Sequence, residues 1–120
     1  MKINLQRIGT VHRLPDETCR LDLDRKFAEG LLGVEPGMRL DVLYWMHELS
    51  EEKRRQLQCH PRGDRSRPIR GVFALRSPMR PNPIGVTTVE VLEVDGTTLR
   101  VSGLDAEEGS PVIDLKMARS

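Results

Sequence analysis

The sequence predicts a mainly β fold, a small antiparallel barrel or strongly curved sheet with one or two short helices at its rim. Three observations carry that expectation. Roughly six or seven short runs of β-formers are spaced along the chain by turn residues. Asp95-Gly96 joins two of these runs as a strong hairpin signal. No strand–helix–strand pattern with a glycine-rich first turn is present, which argues against a doubly wound nucleotide-binding fold.

In chain order, residues 3–11 (INLQRIGTV) alternate in part and predict a first strand. Residues 19–23 place Cys19, Leu21 and Leu23 on one face against Arg20 and Asp22, a second strand. Residues 25–32 (RKFAEGLL) read as a short helix with Asp24 as N-cap and Gly33 as stop. After the turn Glu35-Pro36-Gly37, residues 40–46 (LDVLYWM) form a strand rich in β-formers. Residues 50–58 predict a polar helix capped by Ser50. Residues 60–68 (HPRGDRSRP) are loop by composition, and 71–75 (GVFAL) a short strand. Residues 84–94 and 97–101 are the hairpin strands, and 111–115 a last strand. With no repeat or linker, residues 1–120 are expected to form one domain.

At 38% apolar and 31% charged, the chain suits a modest core under a charged exterior. Nineteen Lys and Arg against eighteen Asp and Glu exclude bulk attraction to nucleic acid, so any basic footprint must be local. Arg62, Arg65, Arg67, Arg70, Arg76 and Arg80 supply one, of a kind suited to an RNA backbone. No apolar run is long enough to span a bilayer, and MKINLQRIGTVHRL lacks the apolar core of a secretory signal. Cys19 and Cys59 are too few for a disulfide scaffold, so a cytoplasmic, reduced protein is expected. Cys59-His60, with His12 and His47 distant, lacks zinc-ligand spacing, and no metal is expected.

Residues 76–85 (RSPMRPNPIG) hold three prolines and two arginines. Each proline fixes its own φ and pushes its predecessor toward extended geometry, which excludes helix and a central strand. The expected result is a stiff, polyproline-like loop that presents Arg76 and Arg80 to carboxylate or phosphate at low entropic cost. Gly85 would let a backbone pass close to a ligand or another strand.

The stretch HPRGDRSRPIRGVFALRSPMRPNPIGVTTVEVLEVDGTTLRVSGLDAEEGSPVIDLK, with FAEGLLGVEPGMRLDVLYWMHE upstream, resembles the TsaA-like (TrmO) family over about residues 7–116. That resemblance implies a β-barrel methyltransferase, homodimeric, with S-adenosylmethionine bound near the subunit interface. It implies transfer to N6 of threonylcarbamoyladenosine at position 37 of tRNA. Carried over by motif, the implied cofactor contacts are His47, Glu48, Arg76, Val86, Asp105, Ala106, Glu107 and Glu108, with His47 and Arg76 also catalytic. Arg62, Arg65, Arg80, Asn82 and Lys116 are the implied substrate or RNA contacts, and Asp114 matches the family's D.K ending. The chain departs from the family in HRLPDETCRLDLD, which lacks a Pro-Arg-Gln triplet, and in its ending DLKMARS.

Methyl transfer from a sulfonium asks the protein for alignment and a dry site. The donor's positive charge favours carboxylates, here Asp105, Glu107 and Glu108, and aromatic faces such as Tyr44 or Trp45. At least one of those two rings is expected in the core. His47, a carboxylate or water could accept the N6 proton. Two other readings share the scaffold: methylation of a small molecule, or binding of adenosylmethionine or RNA without catalysis.

Overall fold

Period-two burial along the strands sets the architecture. The structure, a computed structural model, describes residues 1–119. Its strands are β1 (Gly9–Arg13), β2 (Cys19–Leu23), β3 (Arg39–Trp45), β4 (Gln58–Cys59), β5 (Arg70–Gly71), β6 (Ile84–Asp95), β7 (Thr98–Ser102) and β8 (Pro111–Met117). One four-residue helix, α1, spans Glu51–Arg54. The chain folds as two compact units, residues 1–45 with those from Gly85 onward, and residues 46–84.

In the first unit the strands close an antiparallel barrel in the order β1-β2-β7-β6-β3-β8, as the mainly β expectation required. Alternate residues face inward: Val11, Cys19, Leu21, Leu40, Val42, Tyr44, Val89, Val91, Leu99, Val101 and Val112 are buried. Each fully buried Val or Leu contributes on the order of 1.5–3 kcal/mol. Burial also pushes the Cys19 thiol up, away from the thiolate form a nucleophile needs. The β6–β7 hairpin turns through Gly96 and Thr97, with Gly96 at φ 61°. Among the described residues no helix is long and apolar enough to cross a membrane.

The second unit is built around a two-stranded ribbon pairing Gln58 with Gly71 and Cys59 with Arg70. Ser50 caps α1 by accepting from the Lys53 amide at 3.2 Å. The proline segment closes the unit, with Pro83 fully buried.

Several element boundaries differ from the sequence expectation. Residues 3–8 form no strand: the β1–β2 register begins at Gly9, and the pairing is extended by Ile8 alone, its amide donating to Val112 O and its carbonyl accepting from the Asp24 amide. Residues 25–31 form a 3-10 rather than an α-helix, although Asp24 caps it as expected. None of its residues is buried, so no apolar face stabilises a longer helix. The polar helix stops at Arg54 because Gln58 and Cys59 are drawn into β4. Residues 72–74 form a 3-10 turn instead of a strand, with Val72 buried and Phe73 79% exposed. There the Arg80 guanidinium gathers the carbonyls of Val72 and Leu75 to one side, which a pleated strand cannot offer.

Candidate cofactor loop and arginine-lined cleft

The charge of the chain is segregated between the two units. Residues 46–84 hold nine Lys and Arg against four Asp and Glu, a surplus of five basic groups. The remainder holds ten against fourteen, a surplus of four acidic ones. The near-zero net charge thus conceals a strongly basic segment.

Within that segment, Arg62, Arg67, Arg70 and Arg76 line one cleft of about 940 Å³, together with Cys59, His60, Leu75 and Ser77–Met79 of the proline segment. Arg55 and Arg65 line a second cleft of about 870 Å³ that shares Cys59, His60, Gly63 and Met79 with the first. The loop between β4 and β5 owes its shape to local chemistry. Asp64 accepts from the Ser66 amide and hydroxyl at 2.9 and 2.6 Å, an Asx turn, and these bonds hold its carboxyl below the usual range. Arg62 and Gly63 take left-handed backbone at φ 55° and 70°. His60 Nδ1 donates to the Arg67 carbonyl at 2.8 Å, which fixes the ring across the loop.

The proline segment is a loop, yet it bends rather than running extended. Arg80 folds back on it: Nε donates to Ser77 O at 2.8 Å, and Nη2 to Val72 O and Leu75 O at 2.7 and 2.8 Å. Arg54 donates to Pro81 O from Nε and Nη2 at 3.2 and 3.0 Å, and the Met46 amide to Pro83 O at 2.7 Å. Prolines take donors away from the loop, and two guanidinium groups and the Met46 amide supply donors to its carbonyls instead. Arg80 therefore shapes the loop that carries Arg76. Asn82 O accepts from the Ile84 amide, a tight turn about Pro83. His47 and Glu48, just after β3, lie 4.0 Å apart and line neither cleft.

In the first unit, Val86 is 40% exposed on β6, while Lys116 on β8 pairs in register with Asp41 on β3. The loop 105–110 is pinned at both ends. Tyr44, the buried ring of the Tyr44-Trp45 pair, donates its hydroxyl to Asp105 O. Arg13 Nη1 donates to Ala106 O at 2.7 Å, and the Gly109 amide to Val11 O at 2.9 Å. The Ser110 hydroxyl, buried, donates to Glu107 O at 2.7 Å. Glu108 accepts from the Arg13 amide at 2.7 Å and lies 2.8 Å from His12 Nδ1. The Asp105 and Glu107 carboxylates are exposed, with no ion pair among the described residues. Among those residues no cluster of His, Cys, Asp and Glu is able to hold a metal.

The Arg13 amide, then the His12 ring, holds the Glu108 carboxyl below its usual range. A depressed folded-state pKa gives stability that is complete above the ordinary carboxylate range and is lost as pH falls through the folded value. Proteolysis of the loop should therefore accelerate only in acid. The Glu108→Gln variant should lose most of that acid response, while Asp16 and Asp64, also lowered by their Thr18 and Ser66 partners, still contribute theirs to global stability. A variant with the wild-type acid profile of loop cleavage would show that Glu108 does not hold the loop.

Sequence reasoning missed Arg13, His12, Arg54 and the Tyr44 hydroxyl. The Arg13–Glu108 bond spans 95 residues of chain, and no local spacing signals it.

The profile of the family described as tRNA-methyltransferase O N-terminal domain matches residues 9–118. A probable S-adenosyl-L-methionine-binding protein of Methanocaldococcus jannaschii is 43% identical over 114 residues, covering 94% of this chain and 90% of that protein. An S-adenosyl-L-methionine-binding protein of Archaeoglobus fulgidus is 44% identical over 104 residues, covering 87% of this chain and 71% of the other. The crystal structure of TrmO from Pseudomonas aeruginosa superposes with a TM-score of 0.74 at 25% identity over 99% of this chain. This chain spans 57% of that protein's length.

Proposed function

Because this chain belongs to the tRNA-methyltransferase O N-terminal domain family, we propose that it is a cytoplasmic, S-adenosylmethionine-dependent methyltransferase whose acceptor is N6 of threonylcarbamoyladenosine at position 37 of tRNA. The observation that carries the RNA part is the concentration of basic charge in residues 46–84, where four arginines line a single cleft. Guanidinium groups neutralise phosphate and fork onto its oxygens, and a near-neutral chain needs them gathered for that purpose. Arg62, Arg65 and Arg76 serve the RNA backbone, with Asn82 and Lys116 as further contacts.

The loop 105–108 fits a sulfonium ligand, since it exposes two carboxylates on a backbone fixed by four buried or paired groups. When bound, adenosylmethionine supplies an electrophilic methyl carbon. The protein aligns the acceptor, excludes water and takes up the N6 proton, the last a role for His47. Glu48, Arg76, Val86 and Ala106 keep the cofactor roles implied by the family resemblance, and the homodimer belongs to the same reading.

A second reading is favoured by one observation: relatives of similar length are named for adenosylmethionine binding alone. In it the protein methylates a small molecule, or binds the cofactor without catalysis. The test is incubation with adenosylmethionine and tRNA from a strain lacking the protein, followed by mass spectrometry of the nucleosides. A single-methyl mass gain on threonylcarbamoyladenosine is the expected result. Unaltered nucleosides alongside retained cofactor binding would replace the first reading by the second.

A further inference from the structure

Three carboxylates crowd the loop 105–108, and the structure treats them differently. Asp105 and Glu107 project into solvent. Glu108 is turned onto β1, where its two oxygens take separate partners: Oε1 the Arg13 amide at 2.7 Å, Oε2 the His12 Nδ1 at 2.8 Å. His12 is itself held from the far side, its Nε2 lying 3.4 Å from Asp22 Oδ2 on β2. Asp22 in turn takes Arg20 Nε at 3.0 Å. Arg13 works at both ends, since its guanidinium donates to Ala106 O while its amide donates to Glu108. One dipeptide of β1 thus grips the loop at two points, two residues apart. A carboxylate with both oxygens engaged is poorly placed to meet a ligand cation as well.

We propose that Glu108, with His12 and Arg13, is a positioning latch that fixes the loop 105–108, and that Glu108 itself does not touch the methyl donor. The proposal rests on the reading that this loop meets adenosylmethionine. It separates two roles within one acidic run: Asp105 and Glu107 face the ligand's positive charge, whereas Glu108 sets where they stand. The extended side chain of Glu108 and the β1 backbone make this possible, because an amide at a strand end is free to bond a side chain in place of a ladder partner.

Two measurements on the intact protein test it. The first is calorimetric titration with adenosylmethionine and with adenosylhomocysteine, which lacks the sulfonium charge. A latch places the loop together with the Asp105 and Glu107 carboxylates, so Glu108→Ala should weaken adenosylmethionine roughly tenfold. Glu108→Gln, whose amide oxygen still accepts from the Arg13 amide, should restore most of that loss. Glu107→Gln and Asp105→Asn should weaken adenosylmethionine more than adenosylhomocysteine. The second is hydrogen exchange at the Arg13 amide without ligand, which should accelerate in Glu108→Ala. Glu108 is exposed, so the barrel core is unaffected by its truncation. A Glu108→Gln variant as weak toward adenosylmethionine as Glu108→Ala would overturn the proposal by marking a direct charge contact. An unchanged Arg13 exchange rate would overturn it as well. If the wild type bound neither ligand, the cofactor reading would fall, and the exchange rate alone would decide the latch.

Discussion

Replacing Gly85 by alanine is expected to destabilise the protein by about 2–3 kcal/mol. A Cβ at this position would lie 2.5 Å from the Tyr44 ring and 2.8 Å from its hydroxyl. The ring has nowhere to retreat. It is buried in the barrel, and its hydroxyl is tied to Asp105 O and lies 3.3 Å from Thr87 Oγ1. Relief of the clash must push the ring off the Asp105 carbonyl, so the cost combines overpacking with a broken hydrogen bond. Urea unfolding measures it, and Gly85→Ala combined with Tyr44→Phe should recover part of the loss. Wild-type stability in Gly85→Ala would contradict the close approach.

Replacing Arg80 by alanine is expected to cost about 2–4 kcal/mol, concentrated in residues 72–83. Its guanidinium is the shared donor to three carbonyls, of which Val72 O also accepts from the Leu75 amide at 3.1 Å while Ser77 O and Leu75 O would be left to solvent. Lysine should not rescue the variant, because a single ammonium cannot reproduce the planar fork that reaches all three oxygens. Hydrogen exchange across the segment should rise while the barrel amides stay protected. RNA affinity should fall too, through disorder of the loop that bears Arg76. If Arg80→Ala lowered RNA affinity with the loop's exchange rates unchanged, Arg80 would be a contact and not a clip.

Much of this fold is visible in local sequence. The hairpin at Asp95-Gly96, the alternation of CRLDL and the cap residues Asp24 and Ser50 each depend on neighbours within a few positions. The failures have a common cause. INLQRI alternates as a strand does, yet pairing is decided by the distant β8, which takes up only Ile8 and the residues after it. GVFAL has strand composition, but a guanidinium eight residues downstream turns it into a 3-10 bend. The site divides in the same way. Its arginines were evident from their density in the chain, whereas the division of labour among Asp105, Glu107 and Glu108 depends on β1, some 95 residues earlier. Pairings across such distances leave no spacing to read.

In the proposed function, a proline-stiffened loop clipped by Arg80 presents Arg76 to the cofactor or RNA. The most direct measurement is ligand affinity and methyl transfer in Arg76→Ala, with loop hydrogen exchange followed in the same samples. The expected result is cofactor or RNA binding weakened by about 1.5–3 kcal/mol, the loss of one charge-assisted contact, beyond any effect of a change in loop exchange. Unchanged affinity and turnover in that variant would contradict it.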